Sequence, residues 1–260
     1  MAMDITGRKL FVKALLEEGV DTVFGYPGGM VTDILDELYK HEEIELVLPR
    51  HEQGLIHEAE GYAKATGKVG VCVVTSGPGA TNVITGLADA HYDNIPLVCI
   101  TGQVPLNLIG NDAFQEVDIV GMTRSITKYG VTVRDRRDLG KILKMAFHIA
   151  KTGKPGPVLI DLPKDIQTAS GPGEYPKEVS IRGYKPNENV HVGQLKKGYK
   201  LLKAAKKPHH ADSHVPGGFR IAFRFMNQSL LMSGQHQFNL LMLDCFRAGG
   251  IPEGGIHPGI

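Results

Sequence analysis

Val69-Gly70-Val71-Cys72-Val73-Val74, followed by Thr75-Ser76-Gly77-Pro78-Gly79, decides the fold. Six apolar residues without a polar alternate suit a strand covered on both faces, as in a parallel sheet. The glycine-proline loop then turns the chain into a helix over 80–90. The same unit recurs on either side. Upstream, strands are expected over 20–24 and 44–48, with helices over 31–39 and 52–67. Downstream, strands are expected over 97–100, 129–133 and 158–162, with a helix over 139–150. A first helix over 6–18 stops at Gly19. Strand and helix alternate six times, which predicts an α/β domain over 1–168. Its core is a doubly wound six-stranded parallel sheet with helices on both faces. Such sheets bind ligands beyond the carboxyl ends of their strands. The turn at Gly28, the segment at Glu52, the loop at Gly77 and the turn at Gln103 each follow a strand, so they should share one edge.

Residues 169–194 are rich in Gly, Pro and charge and read as a linker. A basic amphipathic helix over 195–207 would open a further domain at 195–208. After Pro208 the chain has no lysine and few acids, and it carries His209, His210 and His214. This tail, 209–260, has no strand-helix alternation and is expected to be poorly ordered, as a reading-frame shift near Pro208 would make it. The His cluster has no scaffold around it, so no metal site is expected.

An apolar fraction of 42% with 22% charged residues fits a soluble globular chain. A net charge of +1 gives no reason to expect nucleic acid or a membrane as partner. Met1 to Arg8 lacks a signal-peptide core, so a cytoplasmic protein is expected. Cys72 and Cys99 fall in apolar strands and read as small buried hydrophobes, and with Cys245 they form no zinc or disulfide pattern.

Pro49-Arg50-His51-Glu52-Gln53-Gly54 opens a helix whose Leu55, Ile56, Ala59, Tyr62 and Ala63 form the inward face. Glu52, three residues before Leu55, sits on that face in the first turn. A carboxylate aimed inward needs a partner. It reads either as a capping or salt-bridged side chain, or as a catalytic one. His51 is adjacent and faces elsewhere, so a His51–Glu52 dyad is not expected. Gly28-Gly29 reads as a positive-φ turn or as a phosphate-accepting helix start, although neither a P-loop nor a Gly-x-Gly-x-x-Gly pattern is present. Gly77 and Gly79 would admit a flat ligand close to the backbone, or they serve ordinary strand-to-helix geometry. No Gly-x-Ser-x-Gly elbow occurs.

Taken in order, seven segments carry a family resemblance. They are Gly25-Tyr26-Pro27-Gly28-Gly29, Pro49 to Gly54, Glu60-Gly61-Tyr62-Ala63, Thr75 to Asn82, Thr101-Gly102-Gln103-Val104-Pro105, Asp112-Ala113-Phe114-Gln115-Glu116 and Gly156 to Asp165. Over roughly 3–208 the chain resembles the N-terminal, pyrimidine-binding domain of the thiamine-diphosphate enzymes, and among them the acetolactate synthase large subunits. The resemblance implies that Glu52 is the catalytic carboxylate, hydrogen-bonded to N1′ of the cofactor's aminopyrimidine and starting its proton relay. It implies that Tyr26, Pro27, Gly28 and Gly29 border the reacting centre. Thr75, Gly77, Pro78 and Asn82 would lie near the pyrimidine. Phe114 and Gln115 would face substrate, with Gln115 also near the cofactor, and Lys164 would stand at the entrance channel. Gln103, Gly110 and Lys154 would contribute to FAD.

The implied reaction joins two pyruvates, or pyruvate and 2-oxobutyrate, with loss of CO2, in branched-chain amino acid biosynthesis. The implied cofactors are thiamine diphosphate, Mg2+ and FAD. The implied partners are small 2-keto acids, identical subunits in a homodimer or homotetramer, and a regulatory small subunit. The family's Gly-Asp-Gly segment for Mg2+ is not in this sequence. The 260-residue chain alone is therefore expected to form no acetolactate. Alternatives are a pyruvate oxidase or glyoxylate carboligase, or a non-catalytic chain that only self-associates.

Overall fold

The computed structural model describes residues 3–186, 191–204, 210–212 and 221–223. They fall into two compact units, Met1–Lys185 and Pro186–Ile260.

The first unit runs β1 (Ile5–Thr6), α1 (Gly7–Glu17), β2 (Thr22–Gly25), α2 (Thr32–Leu38), β3 (Glu45–Val47), α3 (Glu52–Thr66), β4 (Gly70–Val74) and α4 (Pro78–Thr81). It continues with α5 (Ile84–Asp93), β5 (Leu97–Gln103), α6 (Ile119–Thr123), β6 (Tyr129–Thr132), α7 (Leu139–Lys151), β7 (Pro157–Pro163), α8 (Lys164–Thr168) and β8 (Ser170–Gly171). Six strands form one parallel sheet in the order β3-β2-β4-β5-β7-β6.

The continuous apolar runs are the central strands. Every residue of β4, β5 and β7 is buried, whereas the edge strands β3 and β6 are only partly so. Successive side chains of a strand point to opposite faces, and the core divides accordingly. Val71, Val73, Val98, Ile100, Val158 and Ile160 pack with Leu10, Phe11, Ile34, Leu143 and Phe147 of α1, α2 and α7. Cys72, Val74, Leu97, Cys99 and Leu159 pack on the other face with Leu55, Ile56, Ala59 and Leu87 of α3 and α5. Cys72 and Cys99 stand in register on neighbouring strands as free thiols.

Two features depart from the sequence reading. The helix expected over 80–90 is broken. The chain turns at Asn82 and Val83, where the Val83 amide bonds to Ala80 O, three residues back, rather than four. The break separates α4 from α5 and sends the Asn82 side chain to Glu52. The second departure is the first part of the expected linker, which is a strap laid on this unit. Gly171 pairs with Ile5, and Tyr184 Oη bonds to Thr152 O at 2.9 Å. The buried Arg136 guanidinium clasps the strap, donating to Ala169 O at 3.2 Å and Ile5 O at 2.7 Å. Glycine and proline supplied the turns that made 169–185 look like a linker, while distant donors hold it in place. Arg136→Ala should cost about 2–3 kcal/mol of stability, the worth of charged hydrogen bonds with their carbonyls left unpaired. It should also expose 169–185 to limited proteolysis, and a variant with unchanged urea midpoint and cleavage would refute this role.

In the second unit, α9 (Val192–Ala204) starts three residues before the expected helix. A short antiparallel pair joins β9 (His210–Asp212) and β10 (Ile221–Phe223). His209, His214, Cys245 and most of the tail lie outside the described residues. Among the described residues no helix is long and apolar enough to cross a membrane.

Candidate cofactor site

Parallel strands put all the loops that follow them on one edge. The chain steps outward from β2 to β3, then returns to the far side of β2 with β4 and proceeds through β5. The sheet therefore reverses direction between β2 and β4, and a crevice at such a reversal is where open α/β sheets take ligands. The loops bordering it are Tyr26 to Gly29 and Thr75 to Gly79.

They are pinned together. The Tyr26 amide donates to Val73 O at 3.0 Å, and the Met30 amide to Thr75 Oγ1 at 3.2 Å. Gly28 packs so tightly on Thr75 that a Cβ at 28 would overlap its side chain, coming 2.8 Å from Oγ1. Pro27 is exposed beside it, and Gly29 faces open space on its Cβ side.

Glu52 enters this crevice from the first turn of α3. His51 is the N-cap, and its Nδ1 accepts the Gln53 amide at 3.1 Å. The cap is thus filled by the imidazole, which leaves the Glu52 carboxylate free of that task. Glu52 is 8% exposed, and its Oε2 accepts Asn82 Nδ2 at 3.0 Å. Among the described residues no donor reaches Oε1. A Cβ at Gly79 would stand 3.4 Å from that oxygen and 2.7 Å from Thr75 Cγ2. Glycine at 79 therefore keeps the space over the carboxylate open.

Gly77 has φ of +59°, a conformation that side chains rarely adopt. Its α-carbon lies against Gln115, where a Cβ would come within 2.8 Å of both Gln115 Cβ and O. Pro78 then starts α4. Ser76, between these residues, is buried with Oγ unpartnered among the described residues.

The long connection after β5 closes the edge from the other side. Gln115 has φ of +57° and Asp112 of +51°. Glu116 holds the turn by accepting the amides of Gly110 and Ala113, and these bonds keep its carboxyl below its ordinary value. Phe114 is 83% exposed, an apolar ring with no cover in the described chain. Lys164 reaches back to this edge from α8, with Nζ 2.6 Å from Asp33 Oδ2 and 3.0 Å from Gly29 O. That ammonium holds the Asp33 carboxyl below its usual range.

Of two further expected positions, one is bonded inside the protein and the other lies at the far edge of the sheet. Gln103 is buried, giving Nε2 to Val117 O and Asp161 Oδ2 and taking the Val104 amide on Oε1. Lys154 precedes β7, so it lies at the opposite edge of the sheet from Gly28, Gly77 and Gly110. Asp161, which the sequence reading did not single out, is the hub behind Gln103. It is 2% exposed and accepts Thr101 Oγ1 at 2.9 Å, Thr132 Oγ1 at 3.0 Å and Gln103 Nε2 at 3.1 Å. Burial pushes its carboxyl up from 3.8 to about 6, against the lowering effect of its three donors.

The folded state thus binds a proton between about pH 4 and 6 that the unfolded chain has lost. The stability this gives is complete below pH 4 and disappears as pH rises through 6. Two pH units correspond to at most about 3 kcal/mol. Asp161→Asn should flatten the fall in urea-unfolding free energy from pH 4.5 to pH 7.5 by up to about 2 kcal/mol, the part of that range not already lost by pH 4.5. Equal pH slopes in variant and parent would contradict it.

The architecture has known counterparts. A thiamine diphosphate-dependent 4-hydroxybenzoylformate decarboxylase of Rhodococcus jostii RHA1 superposes with a TM-score of 0.68 at 24% identity, over 78% of this chain and 38% of that one. Residues 5–122 match the family described as thiamine pyrophosphate enzyme, N-terminal TPP binding domain. That match lies within the sheet unit. Longer matches extend beyond the sheet. The acetolactate synthase large subunit of Haemophilus influenzae is 51% identical over 206 residues, 78% of this chain and 36% of that protein. The acetolactate synthase isozyme 3 large subunit of Escherichia coli is 50% identical over the same coverage. The chain therefore spans little more than a third of the length of these relatives.

Proposed function

We propose that the TPP-binding domain is the aminopyrimidine-holding half of an acetolactate synthase large subunit, with Glu52 as its catalytic carboxylate. The observation that carries this reading is the Glu52 carboxyl, fixed at Oε2 by Asn82 and open at Oε1 under a glycine. The crevice suits a flat heteroaromatic ring, because Gly79 leaves open the space beside Glu52 Oε1 that a Cβ would fill. In this reading Glu52 Oε1 exchanges a proton with the ring nitrogen it faces, and Asn82 prevents the carboxyl from turning away. The backbone around Gly77 and Pro78 receives the ring face, with Thr75 and Gly28 as the packed floor. Tyr26, Pro27 and Gly29 border the reacting end, Phe114 and Gln115 face the substrate, and Lys164 draws anionic 2-keto acids to the rim. When bound, thiamine diphosphate supplies the electron sink on which a 2-keto acid loses CO2 and its remaining carbons join a second one.

The substrates proposed are two pyruvates, or pyruvate with 2-oxobutyrate, for branched-chain amino acid synthesis in the cytoplasm. The near 50% identity to proteins named acetolactate synthase supports this choice over other thiamine enzymes. A homodimer or homotetramer, with a regulatory small subunit, follows from the same resemblance. Among the described residues no group of three or more His, Cys, Asp or Glu side chains gathers at this edge, so no step is assigned to Mg2+ here. Lys154 precedes β7 and Gln103 ends β5, so they stand at opposite edges of the sheet, and no step is assigned to FAD here.

The test is a chimera in which the matched 206 residues replace their counterpart in the Escherichia coli large subunit. With thiamine diphosphate, Mg2+ and pyruvate it should form acetolactate. A folded chimera that binds the cofactor and makes none would count against the assignment.

A further inference from the structure

On the helical layer over β4 and β5, α3 and α5 bring together three side chains able to ligate a metal. His57 and Glu60 are three residues apart on α3, hence on one face, and Asp89 meets them from α5. His57 Nδ1 is 2.8 Å from Glu60 Oε2 and 3.8 Å from Asp89 Oδ2, and all three ligand atoms lie within 4.8 Å of one another. The ligand atoms of a tetrahedral site with bonds of about 2.0–2.2 Å stand about 3.3–3.6 Å apart. The His57–Glu60 pair would open and Asp89 would close by a few tenths of an ångström or more to form that triangle.

A second, independent observation points the same way. Glu60 is 3% exposed, and its Oε1 has no hydrogen-bond partner among the described residues. A buried carboxylate oxygen without a donor is costly, and an ion is a standard remedy. Lys64, one turn further along α3, is paired with Asp93 at 2.9 Å. Two carboxylates thus confront a single imidazole. His57 and Asp89 are 39% and 50% exposed, which leaves a path for an ion and a water.

We infer that His57, Glu60 and Asp89 form a site for a divalent transition metal of the Zn2+ class, which staples α3 to α5. One nitrogen and two oxygens suit Zn2+, whereas Mg2+ and Ca2+ take oxygen alone and more ligands. The three residues lie apart from the glycine crevice, so the inference stands whether or not the cofactor reading does.

The test titrates Zn2+ into the full chain after chelator treatment, reading binding by calorimetry and the thermal midpoint in parallel. Because His209, His210 and His214 can take Zn2+ as well, a variant with all three changed to Ala serves as the parent. It should bind one Zn2+ per chain and melt higher with it. His57→Asn and Asp89→Asn, both at half-exposed positions that tolerate change, should weaken that binding at least about tenfold and abolish the rise. Undiminished binding in both variants, or no Zn2+ bound by the parent, overturns the inference and leaves His57 and Glu60 a plain ion pair.

Discussion

Glu52→Gln in the chimera is expected to slow acetolactate formation at least about 100-fold while leaving the fold intact. Positioned acid–base groups contribute about 10²–10⁴-fold, and a carboxamide at Glu52 cannot cycle a proton. Its shape is nearly that of the parent, and its oxygen still accepts the Asn82 amide that now meets Oε2 at 3.0 Å. The thermal midpoint should therefore stay close to that of the parent. Near-normal turnover in the variant would remove Glu52 from the chemistry and return it to a merely buried, hydrogen-bonded side chain.

Gly77→Ala should damage both stability and function. At φ of +59° an L side chain costs about 1–2 kcal/mol. The added methyl would also meet Gln115 Cβ and O at 2.8 Å, a contact that forces one of the two loops to move. Overpacking of that kind costs about 1–3 kcal/mol more. Gln115 has little slack, since its own φ is +57° and Glu116 ties the neighbouring turn through two amides. The shift should widen the crevice beside Glu52, so the chimera should lose turnover and cofactor affinity together. Urea unfolding and cofactor titration measure the two effects separately. A variant that loses stability alone would make Gly77 a structural glycine and nothing more.

The fold was legible in the sequence where local pattern and global position agree. β4, β5 and β7 are central and covered on both faces, so their apolar runs announce them. Glu52 was legible as an inward carboxylate because the helix period fixes its face. Its hydrogen-bond partner was not, since Asn82 depends on a break after α4 that no period signals. The strap was misread for a related reason. Turn residues describe how 169–185 bends, but the Arg136 donors that hold it lie more than 30 residues away in sequence. Gln103 ends a buried strand, and its amide bonds inside the protein to Val117, Asp161 and Val104, partners that no sequence period signals. Asp161 itself sits in an apolar run and gave no periodic signal, although it organises three side chains at the sheet edge.

The central claim is that the space over Glu52 receives the aminopyrimidine of thiamine diphosphate. Amide chemical shifts of the isotope-labelled chain, followed as thiamine diphosphate and Mg2+ are added to millimolar levels, measure it most directly. The shifts should centre on Gln53, Gly77, Gly79 and the Asn82 side-chain amide, and they should be lost in Glu52→Gln. Shifts centred elsewhere on the domain, or the same shifts in parent and variant, would contradict the account.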